Sequence, residues 1–358
     1  MNEITPKQIL QALSHVDDPD LKKDIVTLGM VKNINIEGNN ISFTVELTTP
    51  ACPLKGEIER ACRNAVKHFI PSISNINIEM SSRVSSVRDK SEILPGAKNI
   101  IAIASGKGGV GKSTIAANLA YGLSHLGAKV GLLDADIYGP SVPIIMGLKG
   151  SHALVSNDGK MVPLQKDNIK VLSIGFMIKE NQPVIWRGPM ISSAFKQLIN
   201  DADWGELDYL IIDLPPGTGD IHLTMVQHLK LTGIVMVTTP QDVAIADCRR
   251  ALSMYMSENI NTKIIGIIEN MSWFVPEDAP DKKYFIFGKG GAAKLSEEFN
   301  IPVIGNIPIY ENLRSDADLG VNPFAKENSA SQKLINITEE FARLVSIENN
   351  RISSTTLN

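Results

Sequence analysis

Gly106, Gly111, Lys112 and Ser113 fall at phosphate-loop spacing within Ser105-Gly106-Lys107-Gly108-Gly109-Val110-Gly111-Lys112-Ser113-Thr114. The spacing suits phosphate because glycines let successive backbone N–H groups converge on anionic oxygens. A lysine there reaches the β- and γ-phosphates as a compact cation, and a hydroxyl can sit on Mg²⁺. A glycine turn without a ligand is the plainer alternative, but average residue usage brings these four positions together in roughly one chain of this length in a hundred. Two acids follow in the order such a site needs. Asp136, in Asp134-Ala135-Asp136, is a candidate to orient water or organise Mg²⁺. Asp213 ends the apolar run Tyr209–Ile212 and has the form of an acid that holds Mg²⁺. The Pro215-Pro216-Gly217-Thr218-Gly219 loop beyond it could sense the terminal phosphate.

Cysteine supplies a second kind of chemistry. Cys52, in Thr48-Thr49-Pro50-Ala51-Cys52-Pro53, precedes a helical pattern whose N–H groups can lower a thiol pKa to roughly 3.5–7.5. It is a candidate nucleophile or soft-metal ligand, weighed evenly against a small packing side chain. Cys62 lies on the apolar stripe of its helix, and Cys248 has helical spacing from Ile245 and Leu252; both read as core.

The elements that must position these groups are legible from pattern. Ile100–Ala104 is a short apolar strand, followed by the glycine loop and a helix over Ile115–Leu126. Further strands are expected at Lys129–Leu133, Tyr209–Ile212, Gly233–Thr238, Lys263–Ile268 and Val303–Ile307 with helices between, an α/β doubly wound, mostly parallel sheet. A packing helix carries Leu334, Ile337, Phe341 and Leu344. Ahead of this, Thr5, Pro6 and Gln8 suit a capping box, Ile25–Ile36 and Ile41–Thr48 a hairpin, and Lys55–Phe69 a helix, with a last strand at Ile76–Met80. The expected organisation is a small α+β domain over 1–80, a polar linker over 81–97, a nucleotide domain over 98–348 and a tail over 349–358.

Composition sets the outer limits. The 358 residues exceed one core, and 35 basic against 39 acidic residues give no electrostatic case for nucleic acid or an anionic membrane as partner. Three separated cysteines argue against a disulfide framework, and no signal-peptide pattern opens the chain, so a reducing cytoplasmic location is expected.

The loop's second lysine, Lys107, makes Gly106–Thr114 resemble the deviant phosphate loop of the superfamily of nitrogenase iron protein, MinD and ParA ATPases. Asp134–Ser141, Trp186-Arg187-Gly188-Pro189-Met190, Asp213–Asp220 and Glu269-Asn270-Met271-Ser272 narrow the likeness to the Mrp/ApbC branch of iron–sulfur cluster carrier ATPases. Residues 1–80, with Asp17-Asp18-Pro19-Asp20 and Leu47–Pro53, resemble the small iron–sulfur-assembly domain often fused in front of it. The resemblance implies an ATPase with Mg²⁺, acting as a homodimer that serves recipient apo-proteins. It implies that Gly106, Lys107, Gly108, Gly109, Val110, Gly111, Lys112, Ser113 and Thr114 hold the phosphates. Lys107 then reaches the nucleotide of a second subunit, Asp136 belongs to switch I and Asp213 to switch II. Asn270 contacts adenine, and Pro308 with Ile309 closes on the base; Arg187 receives no role. One departure stands out. The family's Cys-x-x-Cys pair, which holds a cluster between subunits, is missing from Trp273–Tyr284. Glu277, Asp278 and Asp281 there are hard oxygen donors that do not replace thiolates. If a cluster binds, Cys52 is the candidate ligand. A MinD/ParA-like positioning switch without a cluster is the alternative function.

Overall fold

The computed structural model describes residues 4–88, 93–177, 188–219, 222, 225–226, 228–276, 279 and 281–356. The chain divides into two compact units, Met1–Ser85 with Ala342–Asn358, and Ser86–Phe341.

In the first unit, Thr5 caps the helix Pro6–Leu13 through the expected box, its side chain accepting from the Gln8 N–H while Gln8 reaches back to the Thr5 N–H. Strands Val31–Glu37 and Asn40–Leu47 form the antiparallel hairpin, with Ile41, Phe43, Val45 and Leu47 turned into the core. The helix Lys55–Phe69 then crosses over so that Asn75–Ser82 pairs parallel with Asn40–Leu47. The expected strand over Ile25–Ile36 is shorter, beginning at Val31. Asp24 explains the difference: its carboxylate accepts the N–H groups of Val26 and Thr27, and the Met30 N–H closes on the Ile25 carbonyl. This is an Asx-type turn that competes with an extended run.

The second unit is built on an eight-stranded sheet in the order Leu164–Lys166, Ile169–Ser173, Val130–Asp134, Leu207–Asp213, Ala97–Ser105, Gly233–Thr238, Ile264–Glu269 and Val303–Asn306. All neighbours run parallel except the first pair. Ala97–Ser105 therefore sits inside the sheet with a strand on each side. Near-continuous apolar runs such as Ile100–Ala104 fit there because a covered parallel strand is buried on both faces. The segment leading into it is fastened by Arg88, whose guanidinium donates to the carbonyls of Ile93, Leu94, Ala97 and Lys230. The last helix runs Ser329–Thr356, so residues 349–356 continue it.

Candidate functional site

The strand Ala97–Ser105 delivers Gly106 to the carboxyl edge of the sheet, where an open α/β fold places its ligands. Gly111, at φ +85°, caps the helix Lys112–His125, and a side chain at that position would strike the Asn270 amide. At Gly106 a side chain would strike the backbone of Asp247 and Cys248. Both positions thus require glycine, one for conformation and close approach, the other for space alone.

Lys112 is the centre of the polar cluster. Its ammonium lies 2.6 Å from Asp213 Oδ1, 3.3 Å from Asp136 Oδ2 and 3.3 Å from Ser113 Oγ. All three charged side chains are buried. One oxygen of each acid, Asp136 Oδ1 and Asp213 Oδ2, has no hydrogen-bond partner. Burial pushes the Asp213 carboxyl above its ordinary range, and the neighbouring Lys112 ammonium opposes that rise. Two buried, under-satisfied carboxylate oxygens beside a hydroxyl are a donor set that suits a hard divalent cation. Mg²⁺ needs only one or two protein carboxylates when phosphate supplies further oxygens.

Three supports escaped sequence reasoning. Asp134 accepts the N–H groups of Asp136 (3.1 Å) and Val142 (3.2 Å) and the Ser173 hydroxyl (2.9 Å), pinning both ends of the loop that carries Asp136. Burial, with the like charge of Asp213, raises its carboxyl to about 8. Its signal was present, since an acid ends the apolar run Val130–Leu133 as Asp213 ends its own. Ser173 lies on a strand that was not foreseen. His222 is buried, with Nε2 2.7 Å from the Pro215 carbonyl and Nδ1 3.3 Å from the Gly219 carbonyl, and so ties the two ends of the loop after Asp213. Nothing in a lone histidine's sequence context marks such a strut.

Lys107 is half-buried and has no ion-pair partner among the described residues; its carbonyl accepts from Ser105 Oγ. Asn270 donates its amide to the Val110 carbonyl at 2.9 Å, linking the loop to the end of strand Ile264–Glu269. Backbone bonds from Ser272 to Ile307 and from Ile309 to Trp273 bring Pro308 and Ile309 beside that same segment. Trp273 begins the stretch without cysteines, which returns through a Phe274–Tyr284 bridge and carries the Lys283 ammonium 4.9 Å over the Trp273 ring. Asp281 is exposed; Glu277, Asp278, Arg187 and Asp220 lie outside the described residues. Cys52 is half-buried in the first unit, just before the helix Lys55–Phe69. Cys62 and Cys248 are core, with burial pushing each thiol up to about 12. Among the described residues no three His, Cys, Asp or Glu side chains are placed to hold a metal ion by themselves.

Residues 96–344 match the family model of the NUBPL iron-transfer P-loop NTPase, and residues 6–80 match that of an iron–sulfur cluster assembly protein. The chain belongs to the NUBPL iron-transfer P-loop NTPase family. Relatives include an iron–sulfur cluster carrier protein of Synechocystis, 44% identical over 352 residues, covering 96% of this chain and 99% of the relative. Another, from Deinococcus radiodurans, is 43% identical and covers 95% of each chain. Among solved structures, a nucleotide-binding protein of Archaeoglobus fulgidus in complex with ADP is 38% identical. It covers 68% of this chain and 95% of its own, with a TM-score of 0.58. In this NUBPL-type chain the Lys112 cluster lies within the matched span 96–344, and Cys52 within the span 6–80.

Proposed function

We propose that this chain is an ATP-hydrolysing carrier that accepts and passes on an iron–sulfur cluster as a homodimer. The observation that carries the reading is the cluster of Lys112, Asp136 and Asp213, with two buried carboxylate oxygens left without partners. The cluster-carrying part of the reading is supported by the names of the relatives and by the family match over residues 6–80.

In the chemistry proposed, backbone N–H groups of Gly106–Thr114 and the Lys112 ammonium hold the phosphates. Mg²⁺ would be held by Ser113 and Asp213, and when bound it neutralises charge on the β- and γ-phosphates. Asp136, kept in place by Asp134, orients the water that attacks the γ-phosphate in line. Lys107 meets the nucleotide of the second copy, and Asn270, Pro308 and Ile309 form the base end. Without nucleotide, Lys112 is paired with the two acids; on binding, its ammonium turns to phosphate, which leaves the Asp213 carboxylate without that partner. Catalysis is thereby positioning and charge stabilisation, not covalent chemistry.

Cys52 supplies one soft ligand to the cargo cluster. A cluster ordinarily takes four ligands, so the remainder come from a second subunit or a recipient, and binding is transient. Anaerobic reconstitution with iron and sulfide, followed by an absorption spectrum and iron count, tests this. Wild type should take up iron and Cys52→Ser should not, while both hydrolyse ATP equally; iron retained by Cys52→Ser would remove the site.

A further inference from the structure

Glu269 is a buried acid that the chemistry at Lys112 does not use. It ends the strand Ile264–Glu269, directly before Asn270, and is 2% exposed. Its Oε2 accepts the Ala292 N–H at 2.7 Å, in the first turn of the helix Gly291–Phe299, and its Oε1 faces the Asn306 amide at 3.5 Å. The cap position of that helix is Gly290, which has no side chain to offer, so the helix takes its acceptor from a residue far upstream. Local capping by serine or aspartate is the ordinary solution and buries no carboxylate. The long-range bond therefore ties two segments together as well as satisfying a helix end.

Both segments of the proposed base end hang from this residue. On one side, the Asn270 N–H donates to the Thr238 carbonyl, and the chain then turns through Met271 at φ +55°. The Ser272 hydroxyl closes that turn on the Glu269 carbonyl at 2.9 Å. A left-handed backbone at a methionine is sparsely populated and persists only where its surroundings hold it. On the other side, the Glu269 carbonyl also accepts the Ile307 N–H at 2.8 Å, which leads into Pro308 and Ile309. The mooring is itself fixed. A side chain at Gly291 would strike Ile245, so the helix start packs closely on the helix Asp242–Tyr255, the same helix that backs Gly106.

We infer that Glu269 is a positioning residue for the nucleotide base, a role that rests on the reading of Asn270, Pro308 and Ile309 as the base end. Its carboxylate moors the Asn270 turn and the segment Ile307–Ile309 to the helix Gly291–Phe299. Its hydrogen bonds among the described residues do not reach the loop Gly106–Thr114, so it sets the base end and leaves the phosphate end alone.

The test is titration calorimetry of the full chain with ATP and with inorganic tripolyphosphate, each with Mg²⁺. ATP engages both ends of the site, tripolyphosphate the phosphate end alone. Glu269→Ala should bind ATP about tenfold more weakly, the effect of losing one interaction of hydrogen-bond strength, and tripolyphosphate as wild type does. Glu269→Gln, which keeps the reach and an acceptor for the Ala292 N–H, should stay within about threefold of wild type for ATP. A merely structural role would lower the melting temperature without separating the two ligands. Unchanged ATP affinity in Glu269→Ala, or an equal loss for tripolyphosphate, overturns the inference. Should Glu269→Ala fail to fold, Glu269→Asp decides. It keeps the charge but is one methylene shorter, so ATP affinity should again fall while that for tripolyphosphate holds; wild-type affinity for both overturns the inference. Ile309→Ala separates the two ways of failing. ATP affinity lost there but kept in Glu269→Ala refutes the positioning role alone, whereas ATP affinity kept in both refutes the base end itself.

Discussion

Lys112 holds its charge among two buried acids, so deleting its ammonium has two separable effects. Lys112→Ala should abolish ATP binding or turnover. It should also destabilise the nucleotide-free protein by about 3 kcal/mol, since a buried carboxylate loses its counter-charge. Thermal unfolding without nucleotide checks the second effect; an unchanged melting temperature would show that the pair is not buried in solution. The thiols give a simpler reading. At pH 8 a thiol whose pKa is about 12 is ionised only to about one part in ten thousand, so Cys62 and Cys248 should resist alkylation in the native protein. Prompt labelling of Cys248 would refute its placement in the core.

At the scale of elements, two loops fix the chemistry and each makes a prediction. Gly111→Ala places a methyl group at φ +85° against the Asn270 amide, so the loop must deform. ATP affinity should fall at least tenfold, measurable by titration calorimetry. His222→Ala removes the strut between Pro215 and Gly219 without touching the loop Gly106–Thr114. It should lower kcat by about tenfold while leaving ATP affinity near wild type, because misplacement matters most in the transition state. A matching loss of affinity would mean that the strut supports the whole site. Sequence exposed the strands best where burial on both faces made them continuously apolar, as at Ile100–Ala104 and Gly233–Thr238. It was least informative at the sheet edge. The hairpin Leu164–Lys166 with Ile169–Ser173 turns through Asp167 and Asn168, both at positive φ, a two-residue turn chemistry present in the sequence but masked by the brevity of the first strand. Likewise the acids at strand ends were legible as acids. That Asp134 braces a loop while Asp136 meets Lys112 depends on which way each side chain turns, and two residues two apart do not declare that.

For the whole molecule, the proposed dimer predicts interdependence between copies. Lys107→Ala should still bind ATP through the intact loop yet hydrolyse it poorly. Mixed with Asp136→Ala, it should show turnover that differs from the sum of the two proteins measured apart. Simple additivity, or full activity in Lys107→Ala alone, would argue against a lysine acting across subunits. The division of the chain carries a last implication, for the order of events at the ribosome. The first unit is assembled from both ends of the sequence, Met1–Ser85 and Ala342–Asn358. At about 5–20 residues per second, the stretch between Ser85 and Ala342 takes roughly 13–51 s to translate. Throughout that interval the nascent small unit lacks its C-terminal segment, with the buried Ala342 and Val345, so it completes its fold only after the whole nucleotide unit has been made.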